Sequence, residues 1–196
     1  GAKSVEVPNY YTGEMLTIPL DETLSPLDNA KKYFARYNKL KRTFEALNTQ
    51  TEETKAEIAH LQTIQAALAI AESEDDLAQI RDELETYGYI RRKMSGKKKQ
   101  KSKSKPFHYR SSDGFDIYVG KNNFQNDELT FKVANGNDWW FHAKGAPGSH
   151  VIVKAGQGLP PDRTFEEAAR LAAWYSSHRG ADKVEVDYVE KKQVKK

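Results

Sequence analysis

The chain contains no cysteine. That excludes disulfide bonds, thiolate metal sites and a cysteine nucleophile together, and it suits a reducing compartment. It has no run of about 18 uncharged apolar residues, so nothing in it reads as a membrane span. Apolar material is scarce altogether: 38% of the 196 residues are hydrophobic and 30% are charged, against roughly 45–50% and 25% in compact globular chains. Mean hydropathy is −0.81. A chain of this length has room for one ordinary domain, but too little apolar surface for one large core, so part of it is expected to be elongated and solvated. No basic-then-apolar leader opens the sequence, and a cytoplasmic location is the expectation.

Acidic residues are absent from one stretch altogether. Residues 91–105 hold nine basic groups (Arg91, Arg92, Lys93, Lys97, Lys98, Lys99, Lys101, Lys103 and Lys105) and no acid. Residues 1–90 carry a balance of −7 and residues 106–196 a balance of +1, so the overall charge of +3 conceals a strong partition. A break of this kind, with Ser and Gly between the lysines, marks a linker. Three parts are expected: a first region over 1–90, a basic linker over 91–105 and a compact domain over 106–196.

In the first region, β-branched and aromatic residues lie on either side of Thr12-Gly13-Glu14 between Val5 and Leu20, which reads as a short hairpin. Pro8 and Pro19 restrict its ends to sheet edges, and so short a hairpin needs a helix to rest on. Ser25-Pro26 then starts a helix, with a hydroxyl cap, a proline at the first position and Asp28 in the first turn. Heptads counted from Ala30 place Tyr33, Tyr37, Leu40, Phe44, Leu47, Ile58, Leu61 and Leu68 on one seam, with Thr51, Thr54 and Gln65 as weak points. No Gly or Pro interrupts residues 27–71, so the pattern predicts a coiled-coil helix of roughly 65–70 Å at 1.5 Å per residue. Such a seam needs a partner. The second helix expected over Glu74–Tyr87, stopped by Gly88, is long enough to cover only the end nearest the linker. The remainder points to a homodimer or a further helix.

Beyond Lys105-Pro106 the grammar changes to an α+β domain with a largely antiparallel sheet and two helices. Strands are expected at Phe107–Arg110, Phe115–Val119, Trp139–Ala143, His150–Ala155 and Val184–Val189. Asn126 would cap a helix over Asp127–Ala134, and Thr164 one over Phe165–His178 with a small-residue face suited to a sheet.

Three kinds of chemistry compete here. Asp138, His142, Ser149 and His150 could form a nucleophile and base, but no nucleophile elbow or oxyanion element accompanies them. The two histidines and the acid could hold zinc, yet their spacing matches no common ligand pattern. Otherwise they are structural, or they contact RNA. No enzyme, metal or cofactor is expected. The nucleic-acid reading has more behind it. The nine basic groups can neutralise phosphates and release counterions, positioning RNA rather than reading its sequence. Trp139, Trp140, His142, Lys121, Asn122, Asn123, Ser149 and His150 could stack on or hydrogen-bond unpaired nucleotides where exposed. The competing expectation is a solvated lysine linker and a core tryptophan.

The stretch Asp138-Trp-Trp-Phe-His-Ala-Lys-Gly-Ala-Pro-Gly-Ser-His-Val-Ile152 resembles the NFACT-R domain of the NFACT family. So do Gly120-Lys-Asn-Asn123, Asn126-Asp-Glu-Leu-Thr130 and Val186-Asp-Tyr-Val-Glu-Lys-Lys192. The hairpin Asn9-Tyr-Tyr-Thr-Gly-Glu14 and the helix Pro26–Leu47 look like the second half of that family's coiled-coil middle region. The resemblance implies a carboxyl-terminal portion of a ribosome-associated quality-control factor. Members of the family bind a large ribosomal subunit carrying stalled peptidyl-tRNA and recruit alanyl-tRNA to extend the nascent chain with alanine. The implied partners are large-subunit rRNA and tRNA, with a stalk-base protein at the hairpin tip (Tyr10, Tyr11, Glu14) and no membrane. Bacterial members are also named fibronectin-binding proteins. The alternative reading is therefore a fibronectin-binding adhesin, associated with the cell surface without a signal peptide.

Overall fold

A computed structural model describes residues 2–91, 104–156 and 158–195. Its elements are β1 (Ser4–Pro8), β2 (Met15–Pro19), α1 (Pro26–Ile70), α2 (Glu74–Thr86), β3 (Phe107–Arg110), β4 (Asp116–Val119), α3 (Asn123–Glu128), β5 (Trp139–Ala143), β6 (Val151–Val153), α4 (Asp162–Trp174) and β7 (Val186–Glu190). A π-helical turn, Leu129–Val133, continues α3, and a short 3-10 turn, Lys191–Gln193, follows β7. The architecture is α+β, as the sequence pattern implies. Among the described residues no helix is long and apolar enough to cross a membrane.

By contacts the chain divides into Gly1–Ala56 and Glu57–Lys196. The division falls inside α1, because Thr63 near its end and Asp76, Gln79 and Glu83 of α2 bond to the α+β domain.

In the first unit β1 and β2 pair antiparallel, Val7 opposite Leu16, and the hairpin is tied to the start of α1. The Tyr33 hydroxyl donates to the Pro19 carbonyl at 2.5 Å, and buried Asn29 exchanges hydrogen bonds with the backbone of Asp21 at 2.8 and 2.9 Å. The expected seam is there and uncovered: Tyr37, Leu40, Phe44 and Leu47 are each more than half exposed.

In the second unit Ile64, Ala67 and Ile80 form a small core with Ala71, Leu84 and Tyr89. This differs from the expected cover. The α1 positions facing α2 and the domain (His60, Thr63, Ile64, Ala67) lie about 120° around the helix from the seam at 3.6 residues per turn. Ile58, Leu61 and Leu68, on the seam, stay exposed. Ser73 caps α2 by accepting from the Asp76 amide at 3.2 Å, and Gly88, at φ +80°, allows the turn that ends it.

The five-stranded sheet runs β3-β4-β6-β5-β7, antiparallel throughout. Alternation places Ile117, Val119, Phe141, Val151 and Val153 on one face, where they pack with Ala168 and Ala172 of α4. Small residues let the helix lie close to the sheet.

Two helices differ from expectation. The first starts at Asn123, capped by Asn122, whose side chain accepts from the Gln125 amide at 3.0 Å. Asn126 is engaged instead with the chain before β6, accepting from the His150 amide at 2.9 Å. The second starts at Asp162, and the Thr164 hydroxyl, rather than capping, lies 2.9 Å from its carboxylate acceptor Asp113 and 3.0 Å from the Ser111 hydroxyl. It ends at Trp174, because Ser176 pairs with Gly148 in an isolated bridge. A Cβ at Gly148 would meet the Ser176 Cβ at 2.9 Å, so this crossing requires glycine.

Candidate nucleic-acid interface

The Asp138 quartet does not assemble. Asp138 is 2% exposed and accepts from Lys154 Nζ at 2.5 Å and from the amides of Asn135 and Ala155 at 2.7 and 3.0 Å. It fastens the β6 end rather than facing a histidine. Ser149 is buried, and its amide donates to the Tyr175 carbonyl at 2.9 Å. Among the described residues no group of three or more His, Asp or Glu side chains is placed to hold a metal ion.

Alternation sends Trp139 and Trp140 to opposite faces of the sheet. Trp139 packs edge-on against Phe165 with ring centroids 4.7 Å apart, on the α4 side. Trp140 joins His142 and His150 on the other side, with centroid separations of 5.7, 5.2 and 5.5 Å among the three rings. Burial pushes the His150 imidazole down to about 4, with His142 adding to the shift, and the Thr130 hydroxyl sits 2.8 Å from its Nδ1. Burial also lowers His142, against the pull of Asp187 and the Gly148 carbonyl. Both are neutral at pH 7. The Trp140 Nε1 is buried without a hydrogen-bond partner. This trio offers aromatic and hydrogen-bonding edges but no positive charge for phosphate.

Lys121, Asn122 and Asn123, expected as nucleotide contacts, are engaged by partners within the chain. Lys121 Nζ lies 3.2 Å from both Asp76 oxygens and over the Phe107 ring at 4.3 Å. Asn122, 3% exposed, donates to Gln79 at 2.7 Å. Asn123 donates to Thr63 and Glu83 at 2.7 and 2.6 Å. Glu83 also meets His60 Nε2 at 3.1 Å, while its Oε2 is buried and unpartnered. Burial raises the Asp76 carboxyl, but hydrogen bonds from Ser104, the Glu72 amide and Lys121 outweigh this and hold it below the usual carboxylate range. Sequence could not reveal these partners, which stand 40 to 60 residues away along the chain.

Of the basic linker, Arg91 and Lys105 are exposed. Arg92, Lys93, Lys97, Lys98, Lys99, Lys101 and Lys103 lie outside the described residues.

One group escaped the sequence reading. Trp174 is 51% exposed at the end of α4, and the Arg179 guanidinium stacks on its ring at 3.7 Å. Beside it a cleft of about 490 Å³ opens between β3, the Ser111-Ser112 turn and α4. The signal was available, since Arg170 and Trp174 stand four apart on the side of α4 away from its small residues.

Comparison with known proteins defines the class first: residues 105–196 match the model of the NFACT protein RNA binding domain. Residues 1–103 match that of the NFACT N-terminal and middle domains, and the chain belongs to the NFACT family. It is 44% identical over 193 residues to the Rqc2 homolog RqcH of Streptococcus pneumoniae serotype 2, a match covering 98% of this chain and 34% of that protein. The Rqc2 homolog RqcH of Bacillus subtilis is 39% identical over 200 residues, covering all of this chain and 35% of the relative. The chain thus spans about a third of the length of these relatives. The solved C-terminal part of the fibronectin/fibrinogen-binding protein from Streptococcus suis superposes with a TM-score of 0.78 at 41% identity. That alignment covers 89% of this chain and 69% of the other.

Proposed function

We propose that the α+β domain and the basic run before it are the RNA-holding part of a ribosome-associated quality-control factor. The observation that carries this reading is the placement of nine basic residues without an acid directly ahead of a domain matched as RNA-binding. The run supplies sequence-independent attraction to phosphate, and the folded domain supplies orientation. The partners are large-subunit rRNA and tRNA in the cytoplasm. The whole factor recognises stalled peptidyl-tRNA and recruits alanyl-tRNA for alanine tailing. This portion contributes binding, not catalysis. The exposed Tyr10 and Tyr11 hairpin tip meets a protein of the ribosomal stalk base, and the uncovered seam pairs with another helix, in a second copy or elsewhere in the protein. Support for the ribosomal role comes from the names of the relatives.

A second reading, binding of fibronectin, is favoured by the name of the Streptococcus suis protein. Co-sedimentation of the purified chain with large ribosomal subunits, with tRNA and fibronectin as competitors, separates the two. Release by tRNA and indifference to fibronectin is expected. Failure to sediment at low salt, with fibronectin capture that RNA leaves intact, would overturn the RNA reading.

A further inference from the structure

The geometry points to the Trp174 cleft as a binding site for a single unpaired nucleotide of RNA. This deepens the RNA-binding reading and rests on it.

The cleft is about 490 Å³, within the roughly 300–1,000 Å³ typical of small-ligand sites. Leu171 and buried Ile117 line it with apolar surface, and Trp174 presents a half-exposed indole to it. An exposed indole on an apolar cleft is a stacking platform for any base, since every base has a π-face. Arg179 already stacks on that ring and is not among the residues lining the cleft, so the base would take the face of the indole that the guanidinium leaves free.

Charge narrows the ligand further. Arg170 is exposed and carries no ion pair or hydrogen bond among the described residues. Arg110 is exposed too, and its Nε donates to the Gly114 carbonyl at 3.1 Å. Two guanidiniums at the rim can grip the phosphate attached to a stacked base. The acid in the cleft, Glu167, accepts from the Ser112 amide at 2.9 Å and from the Ser112 hydroxyl. A carboxylate in the same lining as the two arginines disfavours an acidic peptide or a bare phosphate and suits the amino edge of a base. A nucleotide satisfies all three features at once, and an acidic protein segment satisfies only the arginines.

The test uses the whole chain and a labelled single-stranded RNA decamer of mixed sequence, followed by fluorescence anisotropy at several salt concentrations. Trp174→Ala should weaken binding about tenfold with the salt slope unchanged, because it removes stacking and no charge. Trp174→Phe should keep most of the affinity. Arg170→Gln should reduce the salt slope by roughly 0.7, the value of one neutralised single-strand phosphate. In the wild type, a decamer carrying 4-thiouridine should crosslink within residues 171–179, a readout that survives even if a variant folds poorly. If Trp174→Ala binds like the wild type and the crosslinks fall elsewhere, the cleft is not the site and the RNA-binding reading stands. If the wild type binds no RNA at low salt, that reading fails and the cleft proposal fails with it.

Discussion

The two units put their apolar residues to opposite use. In Gly1–Ala56 the large side chains of α1 stand in solvent, and Phe44 is 65% exposed on a stretch of helix that, within this unit, is tied only to the hairpin. In Glu57–Lys196 they are packed: Phe141, Ile117, Val151 and Val153 are almost fully buried, and polar side chains fasten α1 and α2 to the domain. One unit is held by burial plus a polar network that leaves Glu83 Oε2 unpartnered, the other by helix propensity and a few hairpin contacts. The same kind of residue, an aromatic on a helix, packs on the core at Phe165 of the second unit and stands in solvent at Phe44 of the first.

This contrast can be broken from the packed side first. Asp138→Ala leaves Lys154 without its buried counter-ion and two amides without an acceptor. It should destabilise the domain by about 3–5 kcal/mol, read by denaturant unfolding.

A pH titration of stability should then show a second loss. His150 is held neutral in the folded protein, with its affinity for protons lowered to about 4 from the ordinary 6.5. The unfolded chain binds the proton first, so this stability is complete above pH 6.5, falls as pH drops towards 4, and is constant below that. The whole loss is about 3 kcal/mol. His150→Gln should flatten that part of the curve. An unchanged curve would assign the loss to other groups.

Asn123→Ala removes a donor from buried Glu83 and from Thr63. A cost of about 1–3 kcal/mol is expected from the desolvated carboxylate. The smallest effect belongs to the other unit. Phe44→Gln should shift thermal unfolding by no more than about 0.5 kcal/mol, as for exposed sites generally. A larger loss, or a fall in solution mass, would show that the seam is covered in solution.

Local chemistry made much of the fold legible. Ser25-Pro26 and the absence of Gly and Pro over residues 27–71 specify α1, and alternation specifies the strand β5, but which of Trp139 and Trp140 packs against α4 came only from the structure. Partners distant in sequence were not legible. Asn122, Asn123 and Lys121 have the residue types of an RNA contact, yet they are engaged by Gln79, Thr63, Glu83 and Asp76, which no local pattern predicts. Thr164 reads as a cap but has a better acceptor in Asp113. Trp174 escaped notice because α4 was read for the small residues it turns inward, while its outward side carries Arg170 and Trp174.

The salt dependence of tRNA binding tests the central claim most directly, for the wild type and for a variant with Lys97, Lys98, Lys99, Lys101, Lys103 and Lys105 changed to Gln. Affinity should fall steeply with salt in the wild type. In the variant the plot of log affinity against log salt should flatten by roughly 0.7–0.9 for each phosphate that is no longer neutralised. Equal slopes for the two proteins would contradict the assignment of RNA holding to the basic run and the domain it precedes.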